Sequence, residues 1–156
     1  MCKDCKHSGT CFAVKNPQRY KIAEFGAVVG EENIMREMKA RGPVACGVAV
    51  TKDFMNHYKG GIYEDTSGEN KIRHVVSLVG WGVGADGTKY WIGRNSWGTY
   101  WGENGFFKLK RGVNNLMIES ECAWAVPHKN WNHKLESEST EIVEDTQLRE
   151  QQVEVL

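Results

Sequence analysis

Two polar residues lie at the ends of neighbouring apolar runs and could together handle a proton. His74 precedes the run at residues 75–81, and Asn95 follows the run at residues 90–93. The residues between the runs include Asp-Gly and a further glycine, which is typical of a turn. The pattern predicts an antiparallel hairpin that brings His74 and Asn95 to the same edge of a sheet.

The chemistry of this pair depends on the imidazole ring. An Asn side chain that accepts a hydrogen bond from one ring N–H fixes the tautomer and orientation of the histidine, and the other ring nitrogen is then free to handle a proton. Cysteine and serine hydrolases both need such an oriented base. His74 and Asn95 are therefore the candidate catalytic residues.

The segments around both residues resemble those of the papain-like cysteine peptidases, whose catalytic group is Cys-His-Asn. Four segments carry the resemblance in the family's order: Arg-Gly-Pro-Val at 41–44, Tyr-Lys-Gly-Gly-Ile-Tyr at 58–63, His-Val-Val-Ser-Leu-Val-Gly-Trp-Gly at 74–82 and Asn-Ser-Trp-Gly-Thr-Tyr-Trp-Gly at 95–102. Within the family, the double valine after His74, the position of Cys46 and the run Glu-Ser-Glu-Cys at 119–122 are most similar to the cathepsin X branch.

The resemblance spans roughly residues 1–127 and implies an α+β fold. The implied domain is a papain-like C-terminal unit, an antiparallel β-barrel or sheet with one short helix. The helical N-terminal half, which carries the nucleophilic cysteine, is expected upstream of Met1 and would be the partner of this chain. The expected reaction is hydrolysis of peptide or protein substrates without a cofactor, as a carboxypeptidase by the cathepsin X resemblance.

Further site residues follow from the same resemblance. Trp97 is expected to cover the His74–Asn95 contact, because excluding water strengthens the hydrogen bond. The expected substrate contacts are Gly47, Ile72 and Val75 beside the substrate's second side chain, the Arg73 carbonyl on its main chain, and Trp101 on the leaving-group side. Arg73 departs from the small residue common before the histidine, and its side chain either favours acidic or C-terminal groups or faces solvent.

Five cysteines, three of them within residues 2–11, indicate an oxidising compartment. The resemblance implies a disulfide between Cys46 and Cys122, with two buried free thiols as the alternative. The odd number leaves one cysteine unpaired or joined to something outside the chain. The same resemblance implies a lysosomal or extracellular location.

The cysteines near Met1 suggest two sites that we reject. Cys2, Cys5, His7 and Cys11 have the character of a zinc knuckle, but a second ligand pair at finger-like spacing is missing, so no metal is expected. Cys11 lies in a run similar to the one around the family's nucleophile. However, His74 follows it by only about 60 positions, against roughly 130–150 in the family. We predict that Cys11 is a disulfide partner.

The composition and the apolar runs of the sequence limit which partners and targeting segments are expected. Twenty basic and twenty acidic side chains cancel, so neither nucleic acid nor a membrane is expected as a partner. No apolar run has the length of a transmembrane helix, and the first residues lack a signal peptide's apolar core.

We divide the chain into three parts: a Cys-rich segment at 1–20, the domain at 21–127 and an acidic region at 128–156. The acidic region is expected to be a solvated, disordered extension or a short helix on a partner.

A second class of function is a non-catalytic relative that keeps the domain as a peptide-binding or interaction module. The acidic region at 128–156 would then recruit the partner. The presence of both His74 and Asn95 favours the peptidase, since a binding module has no need of both.

Overall fold

The computed structural model describes residues 3–14 and 20–128. The acidic region predicted beyond residue 128 and Cys2 lie outside these residues. The elements, in chain order, are β1 (Lys3–Cys5), β2 (Cys11–Ala13), β3 (Ile22–Val28), α1 (Glu31–Arg41), β4 (Val44–Ala49), α2 (Lys52–His57), β5 (Ile62–Tyr63), β6 (Ile72–Val83), β7 (Lys89–Arg94), β8 (Phe106–Lys110), a short 3₁₀ helix (Asn115–Met117) and β9 (Cys122–Pro127).

A seven-stranded sheet forms the body of the fold, in the order β3-β9-β4-β6-β7-β8-β5. β4 pairs antiparallel with β6 and β9, and β7 pairs antiparallel with β6 and β8, whereas β5 joins β8 in parallel. The sheet described here ends at β3 and β5 and does not close into a barrel. The α+β class is confirmed, in the form of an open sheet.

α1 forms where the sequence at residues 31–41 favours a helix. Glu31 and Glu32 lie in its first turn and Lys39 and Arg41 in its last, so the side-chain charges complement the helix dipole. One apolar stripe packs on the sheet: Ile34 and Met38 are buried, one turn apart. The helix ends where Gly42 adopts a positive φ of 94°, and its N–H caps the Met38 carbonyl.

A second helix, α2, adds to the one short helix expected for the domain. Thr51 caps it, because its side-chain oxygen accepts a hydrogen bond from the Phe54 N–H at 3.1 Å. Phe54 is the buried residue of this helix and packs among aromatic rings described below. α2 therefore serves to anchor one aromatic side chain in the core.

The core lies between α1, α2 and the sheet. Its largest fully buried side chains are Trp91, Phe54, Phe107, Ile34, Leu78, Leu109, Ile118, Val44, Val48 and Cys46. A disulfide joins Cys46 on β4 to Cys122 on β9, where the two residues lie directly opposite each other. An interior strand of the sheet is therefore covalently linked to its neighbour β9, the last strand in the chain.

The described residues divide into two units: residues 22–126 form one, and the terminal residues at 3–14, 20–21 and 127–128 belong to the other. Within the terminal unit, β1 and β2 form an antiparallel hairpin, and a disulfide joins Cys5 to Cys11 across it. Gly9 makes the turn with a φ of 82°. Cys11 is therefore held as a disulfide sulfur, not as a thiol.

The part of the chain that the structure describes contains no helix long and apolar enough to span a membrane. In the same residues, no group of three or more His, Cys, Asp or Glu side chains is arranged to hold a metal ion.

Candidate active site

The β6–β7 hairpin positions the two candidate catalytic residues. Ser77 on β6 lies opposite Arg94, the last residue of β7, so His74 lies near the start of β6 and Asn95 directly after β7. Asp86 stabilises the turn: it accepts hydrogen bonds from the Thr88 N–H at 2.9 Å and the Thr88 hydroxyl at 2.8 Å, and these bonds lower the pKa of its carboxyl group. The turn chemistry thus fixes the register that brings His74 to Asn95.

His74 and Asn95 are hydrogen-bonded, with 2.9 Å between His74 Nε2 and Asn95 Oδ1. Asn95 Oδ1 also accepts the Ser96 N–H at 2.8 Å, which identifies this atom as the oxygen of the amide. Nε2 must therefore carry the proton, and Nδ1 is the unprotonated nitrogen of the neutral ring. Among the described residues, nothing hydrogen-bonds to Nδ1, so it is the atom free to exchange a proton.

Asn95 is itself held in place by its surroundings. It is only 8% exposed, and its backbone N–H donates to the Gly105 carbonyl at 2.9 Å. Its Nδ2 is buried without a partner in the described part of the chain. Asn95 is also among the residues that line an open cavity of about 360 Å³, with Ala45, Val75, Val76, Ser77, Arg94 and Ser96.

Trp97 stacks on the imidazole, with the ring centroids of Trp97 and His74 5.0 Å apart and the planes 19° from parallel. Trp101 meets Trp97 edge-on, with centroids 4.9 Å apart at 84°. Trp101 is only 5% exposed, and its indole N–H donates to the Met55 carbonyl at 2.9 Å. In this structure Trp101 therefore lies beneath Trp97 as its support, and not on a surface where a substrate could touch it.

An aromatic cluster holds Trp97 and Trp101 from below. Phe54 is at its centre, with ring centroids 5.3 Å from Trp101, 5.4 Å from Phe107 and 4.9 Å from Tyr63. Edge-to-face contacts of this kind add to the energy of burial. The stack of His74, Trp97 and Trp101 thus rests on rigid, buried rings, which keeps the imidazole from tilting.

Two residues that the sequence did not single out hold the surrounding loops. The Tyr58 hydroxyl donates to the Gly61 carbonyl at 2.8 Å and accepts the Lys108 N–H at 3.0 Å; burial raises its pKa despite the second bond. Glu103 accepts the Gly61 N–H at 2.8 Å and pairs with Lys108 at 3.0 Å. Desolvation raises the Glu103 pKa, but these two partners outweigh it and lower the pKa below 4.5.

Three predicted substrate-contacting residues line one groove. Gly47, Ile72 and Val75 border an open, mainly apolar groove of about 480 Å³, together with Ala27, Val29, Ala45, Ser120, Glu121, Cys122 and Ala123. A side chain at Gly47 would not fit, because a Cβ there would lie 2.8 Å from Ile72 Cγ2. The glycine therefore keeps the floor of the groove open beside Ile72.

Arg73 follows the groove residue Ile72 and precedes His74 in β6. Val48 on β4 pairs with His74 and Ala49 pairs with Ile72, so Arg73 is the extra residue of a β-bulge. Its side chain is exposed. The structure thus groups Gly47, Ile72, Arg73 and Val75 around His74, whereas Trp101 is separated from this surface.

The fold and this pair of side chains define a class of thiol-dependent hydrolases. The family described as "Papain family cysteine protease" matches residues 3–126. This chain belongs to that family, as the resemblance in the sequence indicated.

Individual relatives agree with the assignment. The chain is 46% identical over 127 residues to "Cathepsin Z" of Onchocerca volvulus and 37% identical over 128 residues to "Cathepsin B-like cysteine proteinase 6" of Caenorhabditis elegans. These matches cover 76% and 82% of this chain. Among solved structures, "proCathepsin B S9 from Trypanosoma congolense" superimposes with a TM-score of 0.64 at 32% identity, over 70% of this chain and 37% of that one.

The coverage of the relatives is partial. The chain spans 41% of the length of the Onchocerca volvulus protein and 33% of the Caenorhabditis elegans protein. The matched part therefore corresponds to less than half of either relative.

Proposed function

We propose that this chain supplies the base-bearing wall of a cysteine peptidase active site, with His74 as general acid and base and Asn95 as the residue that orients it. The observation that carries the proposal is the hydrogen bond between His74 Nε2 and Asn95 Oδ1 at 2.9 Å. This bond leaves Nδ1 as the reactive nitrogen, on a ring that is otherwise immobilised by Trp97.

The proposed reaction is acyl transfer in two steps. A cysteine thiolate attacks the peptide carbonyl, the S–C bond forms, and the C–N bond breaks as His74 Nδ1 gives its proton to the leaving amine. In the second step His74 Nδ1 takes a proton from water, the hydroxide displaces the sulfur, and the thiolate and a carboxylic acid are released. His74 must hold a proton at Nδ1 in the first step and accept one in the second.

Asn95 and Trp97 act on this cycle through geometry. When both ring nitrogens of His74 are protonated, Asn95 Oδ1 still accepts the Nε2–H, so the ring keeps its orientation through both steps. Asn95 is buried and Trp97 is half-buried, and the contact is therefore shielded from competing water. Both effects favour the same arrangement of the imidazole in each half of the reaction.

The thiolate is proposed to come from an N-terminal half that packs against this chain. The four cysteines in the described part of the chain, Cys5, Cys11, Cys46 and Cys122, are all in disulfides. β6 presents four exposed apolar side chains, Val75, Val79, Trp81 and Val83, of which Val75 is 61% exposed. Exposed apolar side chains that follow one another along a strand are typical of a surface that receives a partner.

The proposal extends to the specificity of the peptidase and to its location. We infer a carboxypeptidase acting on the free C-termini of peptides or proteins, because the chain is similar to a cathepsin Z over 76% of its length. We also infer a lysosomal or secreted location, which two disulfides in the described residues support, since disulfides persist in oxidising compartments.

The test is reconstitution of the site. This chain is co-expressed with the N-terminal half of the Onchocerca volvulus cathepsin Z, and hydrolysis of a peptide with a free C-terminus is measured. Activity that disappears with His74→Ala supports the proposal. The interaction-module alternative is favoured if the halves associate, as seen by size-exclusion chromatography, but the complex neither cleaves peptides nor reacts with a thiol-directed epoxide.

The chain alone provides a further check. An active-site-directed thiol reagent should not label it at Cys11, because that sulfur is in a disulfide with Cys5. Labelling at Cys11 that depends on His74 would overturn the proposal that the nucleophile comes from the other half.

A further inference from the structure

The side chain of Arg73 has no role in the chemistry described so far, although it lies next to the reactive histidine. Arg73 is the extra residue of the bulge in β6, with Ile72 paired to Ala49 and His74 paired to Val48. Bulges next to active sites often redirect a side chain. Ile72 and Val75, on either side of Arg73 in β6, line the groove, and His74 follows Arg73 directly, so the backbone of Arg73 adjoins both the groove and the reactive histidine.

The charge of Arg73 is not used within the described residues. Its side chain is exposed, and no described residue makes a hydrogen bond or an ion pair with its guanidinium. Glu69 senses this charge: a hydrogen bond from the Lys71 N–H lowers the Glu69 pKa, and the charge of Arg73 lowers it further. Arg73 therefore carries a positive charge that remains available to a ligand.

The groove itself carries the opposite charge. Glu121 is among its lining residues, and its side chain is exposed. A carboxylate placed deep in the groove would be repelled by Glu121, whereas one placed at the rim beside His74 would meet Arg73. A guanidinium is well suited to this role, because it can donate two parallel hydrogen bonds to a carboxylate.

We propose that Arg73 is a specificity residue that favours peptides carrying a carboxylate next to the bond that is cut. The carboxylate can belong to an acidic side chain or to a free C-terminus, since both present the same group to the guanidinium. This inference rests on the proposed peptidase function and adds to it a preference among substrates.

The first experiment uses the reconstituted enzyme and matched peptides. One pair differs only in glutamate or glutamine after the cleaved bond, and a second pair differs only in a free or amidated C-terminus. Arg73→Gln should lower kcat/KM by about fivefold for the peptide with the carboxylate and leave its neutral counterpart unchanged. The pair that responds identifies whether the side chain or the terminus is recognised.

Lys71→Gln is the matched control, because it removes an equally exposed positive charge two residues away. It should change both peptides of each pair equally. Arg73→Lys should recover part of the preference, since it keeps the charge and loses the bidentate geometry. Equal loss on acidic and neutral peptides in Arg73→Gln, or the same preference lost in Lys71→Gln, would overturn the assignment.

A second measurement does not depend on catalysis. The chain alone, labelled with ¹⁵N, is titrated with a blocked glutamine tripeptide and with two variants of it, one with glutamate in place of glutamine and one with a free C-terminus. At least one of the two carboxylate peptides should shift the amide signals of residues 72–75 more than the blocked glutamine peptide, and Arg73→Gln should abolish the difference. A complex that is inactive on every peptide would count against the proposed function, whereas equal shifts with all three tripeptides would count against Arg73.

Discussion

Two buried polar sites in this molecule differ in how fully their hydrogen-bonding groups are used. Around Glu119, which is 7% exposed, every acceptor is occupied: Oε1 accepts from the Trp91 indole and the Gly112 N–H, and Oε2 accepts from the Asn114 N–H. Around Asn95, which is 8% exposed, the Nδ2 donor is buried without a described partner, and the neighbouring His74 leaves Nδ1 unused.

The difference indicates that Glu119 stabilises the fold, whereas the groups around Asn95 are candidates for a chemical role. Buried polar groups normally find partners, and a fully satisfied network rigidifies the fold around it. Glu119 ties the loop at residues 112–114 to the core through Trp91, and the Asn114 side chain in turn accepts the Glu119 N–H at 3.0 Å. The unused Nδ1 of His74, on a ring that is only partly buried, is the atom available to a reactant.

The largest difference between the two sites is expected when the imidazole of His74 is removed. His74→Ala in the reconstituted enzyme should lower kcat/KM by roughly a thousandfold, because proton transfer at the leaving amine loses its catalyst. Its free energy of unfolding should change by less than about 1 kcal/mol, since the ring is only partly buried. His57→Ala is the matched control, a surface histidine on α2 that should leave peptide hydrolysis unchanged.

Replacing Glu119 should instead mainly reduce the free energy of unfolding. Glu119→Ala leaves the Trp91, Gly112 and Asn114 donors buried without an acceptor, which should cost about 3 kcal/mol of stability. Urea unfolding measures this loss. The exposed neighbour Glu121→Ala should change stability by less than about 0.5 kcal/mol, and a similar loss in both variants would contradict the structural role of Glu119.

Asn95 tests whether the oriented ring, and not only its presence, matters. Asn95→Ala should lower kcat by roughly a hundredfold with little change in KM, because the loss falls on the transition state and not on binding. The split between kcat and KM is measured by steady-state kinetics. If KM rises and kcat is maintained, Asn95 acts on substrate binding and its assignment as a positioning residue is wrong.

Glu103 is intermediate between the buried Glu119 and the exposed Glu121. It is a partly exposed carboxylate that accepts the Gly61 N–H and pairs with Lys108. Its folded pKa is below the ordinary value of 4.5, so its contribution is full above that value and is lost as the pH falls through the lower folded pKa. Glu103→Gln should reduce stability by about 1 kcal/mol at neutral pH, and the difference should shrink towards about pH 3.

Thermal unfolding across this range measures the effect. Glu64→Gln is the control, because the exposed Glu64 pairs only with Lys110 in the described contacts and should matter by less than about 0.5 kcal/mol. A difference between wild type and Glu103→Gln that does not change with pH would show that the carboxylate charge is not the source.

Local signals in the sequence predicted the elements that are determined locally. The apolar runs with an Asp-Gly turn predicted the β6–β7 hairpin, and the acidic first turn, the apolar stripe and Gly42 account for the bounds of α1. The hairpin rule also explains why His74 and Asn95 lie together. Their catalytic roles come from the resemblance and remain proposals.

Features that depend on distant residues were beyond such reasoning. The parallel pairing of β5 with β8 joins residues 62–63 to residues 108–109, and no turn signal marks it. In the sequence, Glu119 resembles an ordinary surface carboxylate, and only the structure shows that Trp91 and residues 112–114 surround it. The bulge at Arg73 lacks a glycine, and the burial of Trp101 under Trp97 depends on α2 packing behind both.

The disulfide between Cys46 and Cys122 changes what a single backbone cut does to this molecule. Exposed segments at residues 66–68 and 85–87 both lie between these two cysteines, so a chain cleaved at either place stays covalently joined. A cut at the first segment also leaves His74 and Asn95 on the same piece. The domain can therefore persist as a nicked, two-chain form, which runs as one species on a gel until the disulfide is reduced.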